Sequence, residues 1–428
     1  MTAPHRSGAA APTRGQRAGL AAIAAFLLLG VPALVVRIGG IELPIAVHTL
    51  VFGVGILGAA FVLGAAGEAA EHDLPRSLSL AILAFVAVLP EYAVDLLFAW
   101  RAGTDITQAQ YAVANMTGGN RLLIGVGWAG ALAAFYFIHG GRVIRLPRSV
   151  NVEIAVLVIA SLYSLVIPLK GSISLVDTVV LFSLMGFYLY RIAGQGREEP
   201  GIGGPMAIVT ALPRWRRRLV VIAMFIYAGV VILASAEPFA DGLIHTGVEF
   251  GIDEFLLVQW LAPLASESPE FLAAIYLVWR GNASGGLTML IASKVNQWTL
   301  LIGSLAVAFS ISGQTFAGLP MDGRQREEVL LTAAQSLFAV MLILDRRLSP
   351  RAAIPLFGLF VVQFVLFSEV VRLVLSGVYF VIAAVLLIRR RVFLVRAFRE
   401  GIFAPRTQLA LAEEPERSDT PPAGRQPL

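Results

Sequence analysis

Long apolar runs separated by short polar breaks fill the chain from about residue 18 to residue 404. Few of the runs carry the charged stripe of a soluble amphipathic helix. A stretch of about 20 such residues crosses a hydrocarbon core of roughly 30 Å as an α-helix. Runs such as LIGVGWAGALAAFYFI, residues 123–138, lack the alternation a membrane barrel strand needs. Twelve spans are predicted, beginning near residues 18, 43, 77, 107, 151, 172, 218, 253, 285, 328, 352 and 371. Ala352 to Ile388 is nearly continuous, and only Glu369 and Arg372 divide it in two. Read as one helix, that stretch would carry the C-terminus across the membrane.

Composition agrees with the pattern. Hydrophobic residues make up 57% of the 428 and charged residues 14%, with a mean hydropathy of +0.78, so water is not the main solvent. There are no cysteines, which excludes disulfides and thiolate metal sites, and five histidines. The net charge of +5 sits mostly in short loops, where it sets topology and does not imply nucleic acid. With twelve spans one side receives Arg14 and Arg17, Arg142, Arg145 and Arg148, the Arg214 to Arg218 cluster, Arg346, Arg347 and Arg351, and Arg389 to Arg391. The other side receives Glu237, Asp241 and Glu249. Both termini are therefore expected to be cytoplasmic.

The expected organisation is a disordered tail at 1–17, an extra N-terminal helix at 18–42, a first repeat at 43–193, a cytoplasmic linker at 194–217, a second repeat at 218–368, an extra C-terminal helix at 369–404, and a disordered tail at 405–428. The tails are rich in Pro, Arg, Ser and Glu and bury no apolar face. Arg14 and Arg17 before an apolar stretch resemble a signal peptide, but the stretch is long and no A-x-A site follows, so a retained helix is expected.

The halves repeat. PEYAVDLLFAWRAG at 90–103 and PEFLAAIYLVWRGN at 269–282 share Pro-Glu, an aromatic and Trp-Arg at identical spacing. Glu91 and Glu270 lie 179 positions apart, and LLIG follows each copy, at 122–125 and 300–303. In the twelve-span topology the two copies cross in opposite directions. Inverted repeats with Pro-interrupted helices point to a transporter whose site lies between the repeats.

Charged groups inside a span are costly and usually functional. Glu91 and Asp95 fall one turn apart, as do Glu267 and Glu270, and Ser266 and Ser268 flank Glu267. Four carboxylates thus project from two related helices. Pro90 and Pro269 free carbonyl oxygens beside them, and carboxylates, hydroxyls and carbonyls are what hard cations bind. The following helices add Asn115, Thr117 and Asn120 in ANMTGGNRLLIG, and Ser293, Asn296 and Gln297 in ASKVNQWTLLIG. Arg121 and Lys294 place positive charge beside the cluster, and the simplest partner for each is one of its carboxylates. His48 is read as a packing residue.

These motifs resemble the alpha repeats of the cation/calcium exchanger superfamily, the sodium/calcium exchanger membrane region, as a divergent member. In that family one helix carries a small-hydroxyl-Pro-Glu motif and the next a G-N-x-x-G-S-N-like motif. ASESPE at 265–270 and VLPE at 88–91 match the first, and ANMTGGN at 114–120 the second; LIASKVNQ at 290–297 matches less closely. The resemblance implies an all-α polytopic membrane fold, an inverted repeat of five helices each plus about two extra terminal helices. It further implies alternating access and cation exchange. Glu91 and Glu270 would be the central ligands, Ser266 and Ser293 would add oxygens, and Gln297 falls where the family often has Asp or Asn. Ala87, Val88, Glu267, Arg121 and Lys294 depart from the pattern.

Four carboxylates against the charge-compensating Arg121 and Lys294 leave about two negative charges in the pocket. A tethered ammonium competing with the carried ion suits proton coupling. The expected function is a secondary cation antiporter of the cell membrane, with calcium or a monovalent ion exchanged for sodium or protons. It would have no cofactor, and its expected partners are inorganic cations and the bilayer, not nucleic acid; the residues do not specify an oligomeric state. A cation channel would need a continuous polar pore. A membrane enzyme would need a catalytic set, and HExxH, Asp-rich and Cys-His motifs are absent from the sequence.

Overall fold

The computed structural model describes residues 14–70, 89–193 and 207–405. The expected start of the third span near residue 77, Ala87 and Val88, most of the linker and nearly all of both tails lie outside the described residues. The described chain is helical almost throughout. The main helices are α1 (Arg14–Gly39), α2 (Ile45–Ala70), α3 (Leu89–Ala102), α4 (Ala109–Leu122), α5 (Ala129–His139), α6 (Asn151–Tyr163), α7 (Leu175–Ile192), α8 (Arg214–Phe250), α9 (Glu254–Trp279), α10 (Ala283–Asn296), α11 (Ile302–Ser312), α12 (Gly323–Ile343), α13 (Ala353–Val365) and α14 (Glu369–Phe398). A π-helical turn joins α4 to α5 at Leu123–Trp128, and another joins α10 to α11 at Gln297–Leu301. Both fall at the repeated LLIG.

Among the described residues, eight helices are long and apolar enough to span a bilayer. The rest of the expected twelve fall short for local reasons. α3 begins at the edge of the described residues, α9 carries Glu254, Glu267 and Glu270, α12 opens on Arg324, Arg326, Glu327 and Glu328, and α13 has 13 residues. The run from Ala352 to Ile388 is two helices. The chain breaks at residues 366–368, Ser368 caps Val371 N–H, and Glu369 lies in the first turn, where it complements the helix dipole.

Two short strand pairings tie the halves together. β1 (Ile144–Arg145) pairs antiparallel with β4 (Arg347–Leu348), and β2 (Ser172–Ile173) with β3 (Leu319–Pro320). The repeat offset makes β1 the counterpart of β3 and β2 that of β4, so each pairing crosses between halves reciprocally. A pseudo-two-fold relation requires this of equivalent loops.

Helix contacts show the same exchange. α3 of the first half packs on α11 of the second, and α9 of the second half packs on α4 of the first. Small residues permit this closeness. A Cβ on Gly118 would lie 1.7 Å from the Gln259 carbonyl oxygen. That carbonyl precedes Pro263 by four residues, so the proline has removed its helical donor and α9 presents it toward α4. Near the N-terminus, Gly55 and Gly58 of α2 receive α1, and Gly53 receives Phe239 of α8. These three helices share a second, smaller apolar cluster beside the main core.

Candidate functional site

The elements that carry the repeated motifs meet in the interior. Glu91 stands in the first turn of α3 with Asp95 one turn on; Glu267 and Glu270 stand mid-way along α9, beside Pro269. Glu91, Asp95 and Glu267 are buried, and Glu270 is partly so. Each helix therefore delivers carboxylates at a place where water does not solvate them.

The point of convergence is Gly119. A Cβ built there would lie 2.3 Å from Glu267 Oε1 and 3.3 Å from Glu91 Oε1, so carboxylates from opposite halves face each other across a bare stretch of α4. Gln297, at the junction of α10 with its π turn, donates from Nε2 to Glu91 Oε2 at 3.2 Å. Glu91 Oε1, both Glu267 oxygens, both Asp95 oxygens and Gln297 Oε1 are buried with no hydrogen-bond partner. Buried acceptors are normally satisfied. The orphaned Glu91 and Glu267 oxygens beside Gly119 leave coordination capacity for a cation or a proton.

The other predicted residues surround this pair in unequal ways. Glu270 accepts a 2.6 Å hydrogen bond from Ser293 and lies within electrostatic reach of Glu91 and Glu267. Asp95 also acts on both glutamates, and the Asn115 amide stands beside it outside good hydrogen-bonding geometry. Ser266 is buried and spends its hydroxyl proton on the Ala262 and Pro263 carbonyls. The Asn120 side chain is engaged at both ends, donating to Met116 O at 2.8 Å and accepting from Lys294 Nζ at 2.6 Å. Among the described residues, no three acidic or histidine side chains close on one point, so the pocket at Gly119 is a carboxylate pair with an amide beside it.

The expected partners of the two cations are corrected by the structure. Arg121 does not face the carboxylate cluster: it is the next residue after Asn120, about 100° round the helix, and this turns it toward α12 and α13. It pairs there with buried Glu328 at 2.6 Å, reaches Gln363 at 3.4 Å, and stacks over Trp260. Arg372 joins the same network through Glu327 at 2.7 Å and Glu328 at 3.8 Å. Lys294 does face the cluster, but its hydrogen bonds go to Asn120.

Residue-type reasoning missed Gly119, whose bareness shapes the pocket, and Glu328, the buried partner of Arg121. The glycine doublet beside Asn120 was the available signal for the first. Tyr92, the aromatic of the first repeated motif, donates to Asn296 at 3.5 Å, and Gln259, which no motif marks, donates to Thr117 at 3.5 Å.

The sequence pattern described as sodium/calcium exchanger protein matches residues 43–193 and 220–369, more than half of the chain and both repeats. This chain belongs to the sodium/calcium exchanger family. Among solved structures, this exchanger is similar to the H+/Ca2+ exchanger CAX, with 44% identity, a TM-score of 0.88, and 92% of this chain and 99% of that one covered. YfkE is similar at 14% identity and a TM-score of 0.59, over 85% of this chain and 99% of that one. The sodium-calcium exchanger NCX_Mj is similar at 18% identity and a TM-score of 0.51, over 75% and 98%. The last two likenesses concern the fold alone. No curated protein matches this chain. The exchanger family is one of membrane cation antiporters that carry calcium, so this protein is an integral membrane transporter by family.

Proposed function

We propose that this protein is a Ca2+/H+ antiporter that works by alternating access, with the pocket at Gly119 as its exchange site. One observation carries the reading: Glu91 and Glu267, from opposite halves, face each other with unpartnered buried oxygens. Two carboxylates in a low-dielectric interior repel and are poorly solvated, so they need either a bound cation or protons. Ca2+ takes carboxylate and amide oxygens at about 2.3–2.6 Å. A pocket that is neutral only when it holds Ca2+ or protons exchanges one for the other, provided it opens to one side at a time. Asp95 and Glu270 extend its negative field, Gln297 orients Glu91, and Ser293 orients Glu270. The similarity to an H+/Ca2+ exchanger at 44% identity favours protons over sodium as the counter-ion. The arginine distribution supports twelve spans with both termini cytoplasmic.

Proteoliposomes test this. Uptake of 45Ca2+ is expected when the lumen is acidic, and to collapse when a protonophore removes the gradient. Uptake driven by an outward sodium gradient and indifferent to the protonophore would instead establish sodium exchange. Conductance at channel rates, not saturating with Ca2+, would remove the antiporter reading.

A further inference from the structure

Lys294 lies inside α10 and is 1% exposed. An ammonium at that depth needs oxygen ligands or counter-charge. Its Nζ donates to Asn120 Oδ1 at 2.6 Å and to the Asn120 carbonyl at 3.3 Å, and stands 4.3 Å from the centroid of the Trp298 ring. It makes no direct ion pair among the described residues; Glu267 and Glu91 attract it through space. Two oxygens of one asparagine and an indole face are also what a small free cation would find there.

The repeat shows how one-sided this arrangement is. Laying ANMTGGNRLLIG over ASKVNQWTLLIG places Met116 opposite Lys294 and Asn120 opposite Trp298. The first half supplies the asparagine. The second half supplies, from positions equivalent to a methionine and that same asparagine, the ammonium that takes its oxygens and the ring beneath it. The inner side of the pocket is thus asymmetric in charge although the helices around it are related by symmetry.

On the reading that the Glu91 and Glu267 pocket is the exchange site, we propose that Lys294 is a resident counter-ion. Its ammonium fills the Asn120 side of the pocket, so that the site accepts one divalent cation and refuses a monovalent cation beside it. Lys294 is then a specificity-determining residue: it removes both the oxygens and one of the negative charges a sodium ion would use. The two carboxylates at Gly119 remain for Ca2+.

Equilibrium dialysis of 45Ca2+ against the full chain in detergent tests this, with Na+ replacing N-methylglucamine at constant ionic strength. The wild-type Ca2+ affinity is expected to be indifferent to Na+. In Lys294→Met the vacated oxygens and the added net negative charge admit Na+, and Na+ is expected to weaken Ca2+ binding about 100-fold or more. That is the order of effect of one unit charge on a divalent ion roughly 10 Å away at an effective dielectric near 20. Lys294→Arg, which keeps the charge, is expected to stay indifferent. Na+ competition in the wild type, or a Lys294→Met protein that binds Ca2+ and ignores Na+, overturns the proposal. The wild-type measurement decides even where Lys294→Met fails to fold. A wild type that binds no Ca2+ without Na+ defeats the exchange-site reading, which separates that failure from this one.

Discussion

Gly118 and Gly119 are adjacent on α4, yet a single added methyl group should have opposite consequences at the two positions. At Gly118 the new Cβ would stand 1.7 Å from the Gln259 carbonyl oxygen and 2.7 Å from its carbon. Comfortable contact is about 3.5 Å, so α4 and α9 would have to part by well over an ångström along a main-chain contact that cannot rotate away. Overpacking of this kind costs about 3 kcal/mol or more, and Gly118→Ala is expected to melt early or fail to assemble. At Gly119 the Cβ would stand 2.3 Å from Glu267 Oε1, which is the far end of a flexible side chain. The carboxylate swings aside at a cost to the fold of about 1 kcal/mol or less. The swing moves an oxygen by about 1 Å from a position where coordination tolerates a few tenths of an ångström. Losing one hydrogen bond or ligand to a charged group is worth about 1.5–3 kcal/mol, so Ca2+ should bind about 10- to 100-fold more weakly in Gly119→Ala. Fluorescence-monitored melting in detergent reads the first effect, and 45Ca2+ equilibrium dialysis the second. A Gly119→Ala protein that binds Ca2+ within about twofold of wild type, well below the tenfold that 1.4 kcal/mol represents, refutes the placement of the pocket.

Two further outcomes follow from the charged networks outside the pocket. Glu328→Gln leaves Arg121 buried without its partner, so a loss of about 3–5 kcal/mol in stability is expected in melting or denaturant titration, with Ca2+ affinity unchanged; the double variant Arg121→Met with Glu328→Met should recover most of that loss. Asp241→Asn removes the carboxylate paired with Arg101, but those side chains are 25% and 42% exposed, so stability should change by less than about 1 kcal/mol and 45Ca2+ uptake should match wild type.

The repeat was legible because a transporter of this architecture has to build the same helix pair twice. Pro-Glu and Trp-Arg at identical spacing, followed by LLIG, identified which helices face each other before any geometry was known. The same periodicity fails at the level of individual side chains. Glu267 and Glu270 are three residues apart on α9 and so only about 60° apart round its axis. Symmetry singled out Glu270, yet Glu267 is the one that reaches Gly119 beside Glu91, while Glu270 is held by Ser293. Which of two neighbouring carboxylates fills a pocket depends on the local course of a helix containing Pro263 and Pro269, and no spacing rule supplies that. Arg121 shows the same limit. Its partner Glu328 lies 207 positions later, on a helix whose polar first turns read as an interfacial end, and the pairing arises only when α12 is laid against α4. The π turns at Leu123–Trp128 and Gln297–Leu301 were also invisible, since one extra residue in a helical turn leaves the apolar pattern unchanged.

Long-wavelength anomalous diffraction from Ca2+-soaked crystals tests the shared pocket most directly. Density is expected beside Gly119, with Glu91 and Glu267 oxygens about 2.3–2.6 Å from the ion, and absent from crystals of Glu267→Gln. Strong density elsewhere, for instance at Glu237 and Asp241, with nothing between Glu91 and Glu267, would contradict a site shared between the two halves.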